Sequence, residues 1–275
     1  MLKLYKDTIK ITNDNIILAT PLILFMWLLS LYLSFAKNAI TSTPTLLLSF
    51  ITTIFMVAAF FAGWFYMVKK AVKLSKQMFV LDSDKAKATF NLIKTIPSGI
   101  GKYFLSFIGL ILISVTIFSI VGILTFKLGL LLIGEIGLDA MQIKAALANT
   151  VDMKAFLDSL TLEQLIKLNN WNLLILSITS FLSFLFMLWI PEIVYKTRNP
   201  FMALINSIGK IFCKPWKAIK LFIFITVLNF VLSLLNTFSF FNPLTYFILL
   251  VLYFYFLVYL VVLIFTYYDR EFEEQ

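Results

Sequence analysis

Residues 69–102 read KKAVKLSKQMFVLDSDKAKATFNLIKTIPSGIGK, eight lysines set between two long apolar runs, 45–68 and 103–126. Runs of that length cross the roughly 30 Å of hydrocarbon in a bilayer as helices. Loops with an excess of lysine stay on the cytoplasmic side. The stretch therefore places its flanking spans in a membrane and predicts which way each one points.

Composition agrees. Apolar residues make up 61% of the 275 and charged residues only 13%, with 30 phenylalanines and a mean hydropathy of +0.96. Soluble domains sit near half apolar and about a quarter charged. The excess has to face lipid. Arg198 and Arg270 are the only arginines, so the net charge of +9 is almost all lysine. Usage rich in Lys, Ile and Phe fits a bacterium with an AT-rich genome. There is no histidine and one cysteine, Cys213. An intrachain disulfide is excluded, and most zinc, haem and iron–sulfur sites are disfavoured. No cofactor, metal ligand or catalytic residue is expected.

Working outward, six runs qualify as spans: 16–36, 45–68, 103–126, 171–194, 216–235 and 244–267. Backbone polar groups in lipid must pair within the segment, so the runs are helices. The first is longer than a signal-peptide core and no cleavage site follows it, so it reads as an uncleaved span. The predicted fold is all-α, a polytopic bundle forming one integral membrane domain over 1–275. Of the 23 Lys and Arg, eighteen fall in alternate segments on one side and five on the other. That bias predicts both termini in the cytoplasm and a bacterial cytoplasmic (inner) membrane as the location.

The cytoplasmic segments carry a repeated pattern. Asn199 suits an N-cap and Pro200 a first helical position. Phe201, Leu204, Ile205, Ile208, Ile211 and Phe212 then share a face until Cys213-Lys214-Pro215 breaks the helix. Ala86, Phe90 and Ile93 form a thinner stripe ended by Pro97-Ser98-Gly99. Leu2, Tyr5 and Ile9 form a third, ended by Asn13-Asp14-Asn15. Amphipathic interfacial helices are thus predicted before spans 1, 3 and 5. An internal triplication and three unrelated lead-in helices both account for the pattern. Such helices lie in the headgroup plane with lysines toward anionic lipid, or fold against the bundle. The candidate lipid-facing basic residues are Lys85, Lys87, Lys94, Lys210, Lys214 and Lys217.

On the other side, residues 135–170 read as an outer helical insertion. It has a stripe of Met153, Phe156, Leu157 and Leu160, a helical stretch at 138–148, and a Thr161–Gln164 capping box.

Polar residues inside spans are costly and often functional. Two candidates stand out. Asn229 lies mid-span in the fifth helix, as interhelical glue or as a cavity lining. Glu192 lies near the cytoplasmic end of the fourth, with Lys196 as its expected i, i+4 partner. Lys127 is expected to snorkel, Pro21 to kink the first span, and Gly63 and Gly109 to admit close helix approach. The acidic tail, Glu271, Glu273 and Glu274, reads as a solvated end. No span carries a buried carboxylate pair or an arginine ladder. No P-loop, HExxH or GxSxG motif is present.

Trp189-Ile190-Pro191-Glu192 through Asn199-Pro200, Ala203-Leu204 and Ser207 resembles a bacterial pattern in which a span ends near a proline and an amphipathic helix leads into the next. The pattern is similar to that of the six-helix membrane proteins that include YciC-like proteins and the membrane domain attached to some glycerophosphodiester phosphodiesterases. The resemblance implies a fold. It implies no catalytic residue, because the hydrolase domain has no counterpart here.

The function expected from these residues is a non-enzymatic membrane module, associated with lipid or envelope or binding a partner. The alternative is a transporter or permease subunit for a small or lipid-like solute. Expected partners are membrane lipids, anionic ones included, and a membrane protein or a second copy of the chain. Nucleic acid is not expected, since the positive-inside bias accounts for the lysines.

Overall fold

The computed structural model describes residues 1–138, 156, 158–237 and 243–273. Among these the only regular structure is helical. Six helices are long and apolar enough to cross a membrane, so this is an integral membrane protein with the fold of an all-α polytopic bundle. Its elements are α1 (Leu2–Asp14), α2 (Ala19–Ala39), α3 (Thr43–Leu74), α4 (Asp82–Phe90), α5 (Ile96–Leu132), α6 (Leu162–Phe186), α7 (Trp189–Tyr195), α8 (Pro200–Cys213), α9 (Pro215–Thr237) and α10 (Pro243–Tyr268). Short 3₁₀ segments, Ile16–Leu18 and Asn91–Thr95, lead into α2 and α5, and a π-turn, Asp269–Glu273, follows α10. Of the outer stripe, Met153 and Leu157 lie outside the described residues while Phe156 and Leu160 lie within them, and of the stretch at 138–148 only Leu138 is described.

Local chemistry sets the helix ends. The side chain of Asn199 accepts from the amides of Phe201 at 3.0 Å and Met202 at 3.2 Å, with Pro200 first in α8. Ser42 and Thr45 form a capping box at the start of α3. The α3 helix runs past its predicted end, and its 32 residues carry Lys69, Lys70 and Lys73 on the last turns. At 1.5 Å per residue it is about 48 Å long, well beyond the hydrocarbon.

Three expectations are corrected. Pro97 does not break a helix. It stands second in α5, where a missing amide costs nothing. Pro21 likewise falls in the first turn of α2, so it interrupts no hydrogen bond mid-span. The fourth span is not one helix, because Met187 and Leu188 form a turn between α6 and α7.

The chain forms two compact units, Met1–Ile113 with Leu185–Gln275, and Ser114–Phe184. In the second, the capping box is present: Gln164 accepts from the Thr161 amide at 3.0 Å and returns its own amide to the Thr161 hydroxyl at 3.3 Å. It starts α6 itself and not a separate outer helix, so the fourth span begins at Leu162. The Trp171 ring sits where a side chain on Gly129 would be, and its indole donates to the Gly134 carbonyl at 3.1 Å. Lys127 is exposed.

In the first unit α10 is the central post, contacted by α1, α2, α3, α7 and α9. Trp64, Met67 and Val68 of α3 and Val262, Leu263 and Phe265 of α10 are fully or almost fully buried. The Trp64 indole is satisfied by the Leu18 carbonyl at 2.9 Å. The helices α3 and α5 cross at Gly63 and Gly99: a Cβ on Gly99 would lie 2.9 Å from the Gly63 Cα. Gly109 gives the same room to the Pro200 ring.

Candidate functional site

The basic end of the first unit gathers α1, the end of α3, α7, α8 and the end of α10. The 13 residues of α1 bury Leu4, Thr8, Ile11 and Thr12 against the bundle. Thr8 can be buried because its hydroxyl donates to the Leu4 carbonyl at 2.8 Å. The expected stripe therefore splits: Tyr5 stacks on Phe224 at 4.1 Å, while Leu2 and Ile9 stay exposed. Burial pushes the Tyr5 phenol above its usual range. The α8 helix behaves alike, burying Leu204 and Ile211 and exposing Phe201, Ile205 and Phe212. Before α5, Leu92 is buried while Phe90 and Ile93 face outward.

Glu192 is 1% exposed. Its carboxylate accepts from the Lys210 ammonium on α8 and from the Tyr268 hydroxyl at the end of α10. Lys210 also lies over the Tyr268 ring, 4.5 Å from its centroid. A buried charge needs this kind of enclosure. The expected partner, Lys196, is placed elsewhere: α7 ends at Tyr195, and the Lys196 side chain leaves the helix for Glu273 at 3.2 Å. The Val194 carbonyl near the end of α7 accepts from Lys69 at 2.7 Å and from the Tyr103 hydroxyl at 2.9 Å.

The acidic turn after α10 is not a solvated end as far as Glu273. Asp269, almost fully buried, pairs with Lys76. Glu271 accepts from Lys214 at 3.0 Å and Lys217 at 2.8 Å. Arg270 donates to Asp7 at 2.8 Å. Phe272 lies under Lys210 and Lys214, at 5.6 and 5.3 Å. Glu274 lies outside the described residues. Lys210, Lys214 and Lys217 are thus spent in large part on carboxylates of their own chain.

The remaining candidates divide. Lys85 pairs with Asp14 at 2.8 Å. Lys87 and Lys94 are exposed and carry no ion pair among the described residues. Asn229 is exposed on α9 and was not brought to Glu192 or to the basic end.

Beside α1 the surface opens into hollows that sequence reasoning missed. A groove of about 770 Å³ runs between α2, α4 and α10, with Ile17, Ile23, Leu250 and Phe254 among its apolar walls. Asp14, Asp82, Lys85 and Thr89 line its polar end, and the same four line a crevice of about 210 Å³ that also holds Lys10 and Asn15. Asn15 donates through Nδ2 to the Ile11 carbonyl at 2.9 Å, and its buried Oδ1 has no partner. A further crevice of about 250 Å³ shares Lys10 and Asp14 and reaches Arg270. Its residues come from segments far apart in sequence, so no local motif announces it. The one available signal was the run of acids after the sixth span, opposite in charge to the segments facing it. Among the described residues no cluster suited to a metal ion occurs.

No family model matches the chain, and no curated protein or solved structure matches it.

Proposed function

We propose that this is a non-enzymatic protein of the bacterial cytoplasmic membrane, both termini inside, that works on lipid of the inner leaflet. One observation carries the reading. Each of the three lead-in segments docks on the bundle with one set of apolar residues and leaves a second set outside. Leu2 and Ile9, Phe90 and Ile93, and Phe201, Ile205 and Phe212 form that outer set. The exposed lysines Lys3, Lys6, Lys10, Lys87 and Lys94 lie on or beside the first two segments. Apolar side chains flanked by lysines suit the headgroup boundary of an anionic leaflet, at about 1 kcal/mol per lysine. The acids that could neutralise this face are mostly engaged: Asp7, Asp14, Glu192, Asp269, Glu271 and Glu273 all have internal partners.

The test is the preference for spin-labelled phosphatidylglycerol over phosphatidylcholine at the protein surface in mixed bilayers. Replacing Lys3, Lys6, Lys87 and Lys94 by Gln should remove most of that preference. An unchanged preference would sink the reading. The second reading, a permease for a lipid-like solute, draws support from the groove beside α10. It loses Asn229 as the lining of a central cavity, since that residue lies outward on α9.

A further inference from the structure

We infer that the groove and crevice beside α1 bind one glycerophospholipid with a primary-ammonium headgroup, an acyl chain in the groove and the head in the crevice. The inference rests on the reading that the protein works on membrane lipid, and adds which lipid and where.

The two hollows adjoin, since Asp14, Asp82, Lys85 and Thr89 line both. The groove's 770 Å³ falls within the roughly 300–1,000 Å³ of small-molecule sites. Its walls are apolar, and Ile23, Phe247 and Val251 are exposed along it. Those residues lie on spanning helices, so the groove meets the bilayer from the side and a second chain can stay in lipid.

Polarity changes at the mouth of the crevice, which adds Lys10, Ser75 and Gln77. Its charges balance, Lys10 and Lys85 against Asp14 and Asp82. The Lys85–Asp14 pair is closed at 2.8 Å. Lys10 and Asp82 are exposed, and neither has an ion-pair partner among the described residues. An anionic head would meet two carboxylates, and a cationic amphiphile two ammoniums. A zwitterion satisfies both remaining charges, phosphate toward Lys10 and ammonium toward Asp82. Asn15 also lines the crevice, and its Oδ1, buried from solvent, has no partner in the chain. A primary ammonium has three N–H donors for these oxygens, whereas a trimethylated one has none. Only the primary ammonium can donate a hydrogen bond to the Asp82 carboxylate, so the two heads should be told apart.

The test is native mass spectrometry of the full chain in detergent, with phosphatidylethanolamine, phosphatidylcholine and phosphatidylglycerol of identical chains. One phosphatidylethanolamine should be retained about tenfold over phosphatidylcholine, the worth of one charge-assisted hydrogen bond. Asp82→Asn, an exposed change that spares the fold, should bring the two to parity. Leu250→Trp should displace all three from the groove. Equal retention of ethanolamine and choline lipids by the wild type would overturn the inference, as would a preference indifferent to Asp82→Asn. A protein dimer dissolved by Leu250→Trp would put a second copy on the groove and overturn it too. If phosphatidylglycerol preference persists and falls with the surface lysines, the broader reading survives a failure here. If no lipid of any class is retained, both fall.

Discussion

Arg270 donates to Asp7 at 2.8 Å, so the turn after the sixth span is joined to the first helix of the chain. The pair is one of several contacts that the acidic turn makes at the basic end, and they differ in worth. The difference is set by water.

Both members of the Arg270–Asp7 pair keep about a third of their side-chain surface, 31% and 37%. Screened pairs of this kind contribute at most about 1 kcal/mol. Asp7→Asn should therefore lower the thermal midpoint in detergent only slightly, and added salt should mask part of the loss.

Glu192 is the opposite case. Removing one partner of a buried pair leaves the other charge uncompensated, at about 3–5 kcal/mol. Lys210 keeps some exposure, so Glu192→Ala should cost about 3 kcal/mol, at the low end of that range. The double change Glu192→Gln with Lys210→Met should recover much of the loss in the same melting experiment. If Glu192→Ala melts like the parent protein, the enclosure drawn around Glu192 is wrong.

The crossing of α3 and α5 leaves no room for a side chain. Gly99→Leu should overpack the contact with Gly63 and destabilise by about 1–3 kcal/mol. Gly101→Leu, in the same helix with nothing within 4 Å of its Cβ position, should be near neutral. Equal melting points for the two variants would contradict the crossing.

Cys213 is free, exposed and placed at the end of α8. On the proposed orientation, with both termini inside, a membrane-impermeant maleimide should leave it unlabelled in intact spheroplasts and label it in inverted vesicles. Labelling in spheroplasts would reverse the orientation.

Much of this architecture was written locally. The six spans follow from apolar runs of about 20 residues, and Asn199-Pro200 and Thr161-Gln164 mark helix starts by side-chain chemistry alone. The turn at Met187-Leu188 was invisible because neither residue is a breaker and both are apolar, so hydropathy runs straight through it. The pairing of Glu192 was missed for a different reason. Its partners stand 18 and 76 residues away, and only the packing of α7, α8 and α10 selects them over Lys196. Helix periodicity also could not say which face of α1 goes inward. The buried face includes Thr8, whose hydroxyl bonds its own helix, so a polar residue is spent inside while Ile9 is left out.

The contacts of the turn Asp269–Glu273 also bear on how the chain enters a membrane. The lysines that it holds, Lys76, Lys196, Lys214 and Lys217, all precede the sixth span in sequence. While earlier spans are being threaded these lysines have no acid of that turn beside them, and it is Lys and Arg, with little weight on acids, that the orienting bias counts. The neutralising acids arrive only after α10 has crossed. On the proposed orientation, the same lysines count toward the bias that directs insertion and then close the finished fold.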